Sequence, residues 1–104
     1  MNPWLIVLIA GVMETLWAIG LKYSDGFSRP LPSVLTVVGA LLSFYLLSVA
    51  MRDIPVGTVY AVWVGIGAVG TAVLAVLLFG EPVTVMRIGG IGLIIAGVVV
   101  LQQA

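Results

Sequence analysis

The sequence contains no cysteine and no histidine. Disulfides, thiol nucleophiles and imidazole-based metal sites are excluded. Charge is scarce too: four acids and four bases make up 8% of the chain, against about 25% in soluble domains. So few carboxylates cannot build a metal cage, and so few cations cannot build a nucleic-acid surface. The Gly-rich stretches lie inside apolar runs with no Gly-Lys-Ser/Thr after them, so nothing here looks like a phosphate loop. An enzyme would have almost no chemistry to draw on. The chain reads as a non-enzyme with no metal and no cofactor.

What is present is hydrophobicity, at 62% of 104 residues. Apolar runs cover roughly 3–21, 31–51, 56–79 and 88–101. A helix crosses a bilayer with about 20 apolar residues. Three runs meet that length directly. The fourth meets it if it starts near Val83 and lets Arg87 snorkel to the headgroups. The sequence predicts an all-α membrane protein, a single multi-pass domain over 1–104 with helices at about 3–22, 31–51, 55–79 and 84–102. Residues 1–20 are not expected to be a cleaved signal, since no Lys or Arg precedes Lys22 and an acid sits in the apolar core. A soluble bundle would need polar helix faces that these runs lack.

Four spans place Lys22, Arg29 and Arg87 on one side, and Arg52 with the amino terminus on the other. By the positive-inside rule this asymmetry is small. It is compatible with a chain that inserts both ways round.

The stretch "GVMETLWAIG" (11–20) carries Glu14, the one acid deep in any span. An acid at the bilayer centre costs on the order of 3 kcal/mol, and such residues mark cavities, partners or transport paths. The bland alternative is a protonated Glu bonded to another helix. No intramembrane Lys, Arg or His is available to pair with it. On a helix Glu14 shares a face with Val7, Ala10, Gly11, Trp17, Ala18 and Leu21. The indole N–H of Trp17, one turn on, is placed to reach the carboxylate. Trp4 suits an interfacial belt, whereas Trp17 is too deep for one.

The second helix is apolar apart from Ser43, Tyr45 and Ser48, with Ser33 and Thr36 near its start. Each of these hydroxyls can equally bond back to its own helix. In the third, "GTVYAVWVGIGAVGTAV", Tyr60, Trp63, Gly67 and Gly70 share a face. An aromatic pair above a glycine track suits the wall of a cation pocket, and small residues also suit helix packing. Gly65 and Gly67 weaken the helix locally and make a bend plausible there. In the fourth, Gly90 and Gly97 stand seven apart, the period of a packing seam, so this helix reads as an association surface.

Four short helices barely surround a pathway, so a dimer is expected, with two copies of Glu14. Two carboxylates at one site repel when both are ionised. Such a pair takes up a cation or protons inside the membrane.

The pieces "AGVMETLWAIGLKYSDGFSRPLPS", "SFYLLSVAM" and "IPVGTVYAVWVGIG", with the Gly90/Gly97 pair, resemble the small multidrug resistance family over essentially the whole length. "ETLWAIGLK" resembles its guanidinium-exporter branch; the quaternary-ammonium branch typically has small or hydroxyl residues where Trp17 stands. The resemblance implies an antiparallel homodimer, often inserted in dual topology, in the bacterial inner membrane. It implies proton-coupled export by alternating access. It carries site roles onto Glu14, Trp17, Ser43, Tyr60 and Trp63, and dimerisation onto Gly90 and Gly97. Two departures stand out: Val64 where the guanidinium branch usually has Thr, and "LQQA" where a Lys is often found.

Physical chemistry favours the same substrate. Guanidinium is planar, permanently charged and offers forked N–H donors, which paired carboxylates match. Trp17 and Ser43 are placed to hold the carboxylates. A quaternary ammonium has no donors and depends on aromatic faces. Expected partners are therefore a second copy, a small organic cation, protons and the bilayer, with no nucleic acid. The competing readings are an exporter of quaternary and hydrophobic cations, a subunit of a heterodimeric transporter, and a non-transporting modulator. A buried acid gives the last no benefit.

Overall fold

A computed structural model describes residues 2–104. It contains four helices, α1 (Pro3–Tyr23), α2 (Pro30–Ala50), α3 (Val56–Phe79) and α4 (Val85–Gln103). Each has 19 to 24 residues and is long and apolar enough to cross a membrane.

Local sequence sets the ends. Asn2 caps α1 by accepting the Trp4 N–H at 2.8 Å, and Pro3 supplies the first-turn φ. Pro30 opens α2 in the same way. Gly80 ends α3 in the left-handed region at φ 65°. Thr84 caps α4 by accepting the Arg87 N–H at 3.1 Å. Arg87 also pairs with Glu81 at 2.6 Å, which ties the α3–α4 turn to the first turn of α4. Between α1 and α2, Asp25, Gly26 and Phe27 all take positive φ. Ser24 holds that turn: it is buried, donates to the Leu21 carbonyl at 2.7 Å and accepts the Phe27 N–H at 3.2 Å.

Helix α1 is the centre of the fold. It packs along both α2 and α3, which meet each other over a short stretch, and α4 leans on α3 alone. The core is small and aliphatic around one ring: Val7 and Ala10 from α1, Leu47 and Ala50 from α2, Val59, Val62 and Trp63 from α3. Small residues permit the close approach. A Cβ at Gly11 would overlap Ile66, and one at Gly20 would overlap Thr36 Oγ1. Leucines, valines and isoleucines cover the outside of all four helices. In water such a surface would aggregate; in a bilayer it is the lipid face.

Helix α3 is helical without interruption through Gly65, Gly67 and Gly70. Gly65 receives Val98 of α4, while Gly67 and Gly70 face α1. Helix α4 buries no residue, and the Cβ positions of Gly89, Gly90, Gly92 and Gly97 open onto free space.

Candidate functional site

Glu14 lies midway along α1, directed at α3. A Cβ at Gly67 would overlap Glu14 Oε1, Cδ and Cγ, so glycine is what lets the carboxyl group lie against the α3 backbone. Its Oε2 is buried and has no hydrogen-bond partner among the described residues. Arg87–Glu81 is the salt bridge found among the described residues, and it is far along the chain in the α3–α4 turn. Glu14 is therefore an intramembrane acid with no fixed cation.

One turn before it, the Ala10 carbonyl accepts the Ser43 hydroxyl at 2.7 Å. Ser43 Oγ in turn accepts the Trp63 indole N–H at 3.0 Å. Ser43 and Trp63 are both buried. This chain of bonds ties α1, α2 and α3 together beside Glu14. It also occupies Ser43, whose partners are Ala10 and Trp63 and not the carboxylate.

Trp17 takes a different place from the one its spacing suggests. Its Nε1 is buried without an acceptor among the described residues, so it makes no bond to Glu14. Its stem lies along α2: a Cβ at Gly39 would sit 3.3 Å from Trp17 Cβ. Its ring meets Phe44 edge-on, with centroids 6.1 Å apart. Phe44 then meets Trp63 at 5.9 Å, and Trp63 meets Tyr60 at 5.7 Å. Trp17, Phe44, Trp63 and Tyr60 thus form one aromatic row across three helices. Trp63 is 6% exposed, while Phe44 and Tyr60 on either side of it are 47% and 53% exposed, so the row is buried at Trp63 and open at its two neighbours.

The structure brings Ser43, Trp63 and Tyr60 together, and joins Trp17 to them through Phe44. Phe44 and Thr15 are the two neighbours that sequence reasoning missed. Nothing in the pattern marks Phe44, which is one more apolar residue in an apolar helix. Thr15 had a signal: it is the only hydroxyl-bearing Ser or Thr in α1. It is buried, and a Cβ at Gly70 would overlap its Oγ1. A cleft of about 520 Å³ opens between α1 and α2, lined by Trp17, Gly20, Tyr23, Leu35, Thr36 and Gly39. Glu14 does not line it. Glu14 packs against α3 at Gly67.

Four apolar spans, a half-buried mid-span acid with no basic partner among the described residues, and an aromatic row define a multi-pass membrane protein with an intramembrane polar group. The family model described as "Small Multidrug Resistance protein" matches residues 2–94. Proteins named "Guanidinium exporter" are similar throughout. The one from Yersinia pseudotuberculosis is 54% identical over 101 residues, 97% of each chain. Those from Salmonella typhimurium and Citrobacter freundii are each 52% identical over 99 residues, 95% of this chain and 94% of theirs. The chain belongs to the small multidrug resistance family.

Proposed function

We propose that this chain is a transporter, not an enzyme, that exports guanidinium or small guanidinyl cations from a bacterial cell in exchange for protons. The single observation that carries the reading is Glu14: a mid-span carboxylate against Gly67, with Oε2 buried and no basic partner among the described residues. Such an acid binds what diffuses to it. Protons and an organic cation are the candidates inside a membrane, and each removes the charge the other needs.

The functional unit in this proposal is an antiparallel dimer with both Glu14 side chains at one site. The unburied α4, with Gly90 and Gly97 open, supports an association surface there. The two carboxylates present parallel acceptors that match the forked donors of guanidinium. The row Trp17–Phe44–Trp63–Tyr60 offers aromatic faces to the cation and apolar area to a small substituent on it. With the site open to one side at a time, exchange then follows from competition. Protons displace the cation on the outer side, and the cation displaces protons on the inner side. The enteric relatives named as guanidinium exporters support both the substrate and the inner-membrane location.

Reconstitution tests this. Purified wild-type protein in liposomes should take up guanidinium when a proton gradient is imposed, and Glu14→Gln should insert and dimerise but not transport. Proton-driven uptake by Glu14→Gln at the wild-type rate would overturn the proposal. Wild-type protein that works only after mixing with a second family member would make the unit a heterodimer.

A further inference from the structure

We infer that Thr15 is a positioning residue for Glu14: its hydroxyl, bonded across to α3, fixes where the neighbouring carboxylate stands. The inference rests on the reading that Glu14 holds the transported cation.

Thr15 is 7% exposed. Its Oγ1 lies 3.3 Å from the Gly11 carbonyl of its own helix and 3.4 Å from the Gly67 carbonyl of α3. One hydroxyl proton is shared between the two. Back-bonding to the residue four earlier is the ordinary habit of a helical threonine. Reaching a carbonyl on a second helix is not, and the carbonyl reached belongs to Gly67, the residue against which Glu14 is packed. The fit is equally specific one turn further along α3. A Cβ at Gly70 would overlap Thr15 Oγ1 and crowd its Cγ2 and Cβ at 3.0 and 3.1 Å. Glu14 and Thr15 therefore rest on successive glycines of one α3 stripe, and only the threonine has a polar bond to it.

That asymmetry is the point. The carboxyl group has no hydrogen bond of its own to orient it, because Oε2 is unpartnered and Oε1 lies beside the Gly67 backbone. Its place is set by how α1 stands against α3. At that level Thr15 supplies the α1–α3 bond, as Ser43 supplies the α1–α2 bond one turn earlier. Removing the hydroxyl leaves α1 free to shift or turn on the glycine stripe, and Glu14 moves with it.

Two substitutions separate this from simple packing. Thr15→Val keeps the shape and loses the hydroxyl. Thr15→Ser keeps the hydroxyl and loses a methyl. A packing role ranks Val above Ser; a positioning role ranks Ser above Val. In reconstituted liposomes, Thr15→Val should raise the KM for guanidinium about five- to tenfold, and Thr15→Ser should stay within about twofold of wild type. The second readout needs no substrate. The chain has two glutamates, Glu14 and Glu81. Protein labelled with ¹³C-glutamate gives two Cδ resonances, assigned with Glu81→Gln. Thr15→Val should move the Glu14 resonance and leave that of Glu81 in place, and Thr15→Ser should move neither. If Thr15→Val does not fold, Thr15→Ala replaces it and should shift the Glu14 signal where Thr15→Ser does not. An unmoved Glu14 resonance in the hydroxyl-deleted protein, or a larger defect in Ser than in Val, overturns the inference. A wild type that carries no guanidinium, with the resonance still separating Val from Ser, would remove the substrate assignment and leave the positioning role standing.

Discussion

Trp63 donates its indole N–H to Ser43 Oγ at 3.0 Å, and Ser43 donates in turn to the Ala10 carbonyl at 2.7 Å. Three helices meet in that short relay, one turn from Glu14. The Ala10 carbonyl is already in the helical ladder, so losing its second donor costs little. The indole is different. Trp63 is buried and has no other acceptor, so its N–H depends on Ser43.

Ser43→Ala is therefore expected to destabilise the subunit by about 1–2 kcal/mol, through the stranded indole. Unfolding in mixed micelles measures it. The Ser43→Ala, Trp63→Phe double variant should lose less than the sum of the two single ones, because phenylalanine has no N–H to strand. Additive losses would mean that the relay is not a coupled unit.

Gly67→Ala places a methyl where Glu14 packs. The neighbour it meets is the Glu14 side chain, so the carboxyl group must move or the helices must part. The protein should still insert, since alanine suits a membrane helix. Guanidinium affinity should fall at least about tenfold, a loss of some 1.4 kcal/mol. Titration calorimetry on the purified protein reads the affinity. Affinity equal to wild type would show that Glu14 binds from a different position.

Competition at one acid gives a sign for pH. In the proposed exchange the cation prefers the ionised Glu14 carboxylates, and protonation removes that charge. Apparent guanidinium affinity should rise with pH and level off once the Glu14 pair has ionised. In the proposed dimer the two Glu14 carboxylates titrate as one coupled system, so the macroscopic steps belong to the pair and not to either residue. Binding measured from pH 5 to pH 9 decides it. An affinity that falls with pH, or does not change, would place proton and cation at separate sites.

Topology can be biased by charge. Lys22, Arg29 and Arg87 oppose Arg52 and the amino terminus. Adding two lysines beside Arg29 should fix one orientation, and two near Arg52 the other. For an antiparallel unit, either biased protein alone should be inactive in guanidinium-resistance growth, and co-expression should restore growth. Full activity from one biased protein would indicate a parallel dimer.

The sequence by itself determined the number of spans and the presence of a lone intramembrane acid. Both follow from run length and from charge, which are properties of composition along the chain. Pro3, Pro30 and Gly80 mark ends for local steric reasons, and these are legible without any neighbour. Which helix covers the acid was not legible. A helix that is apolar all round shows no moment to distinguish its packed face from its lipid face. Only the tertiary structure put Glu14 on Gly67, Thr15 on Gly70 and Val98 on Gly65, because close approach depends on two backbones at once. It also turned Trp17 away from Glu14 toward Phe44, and gave Ser43 to Trp63. Spacing along one helix says which residues are neighbours there. It cannot say which group on another helix will hold a donor, since that is decided by distances of about 3 Å between helices.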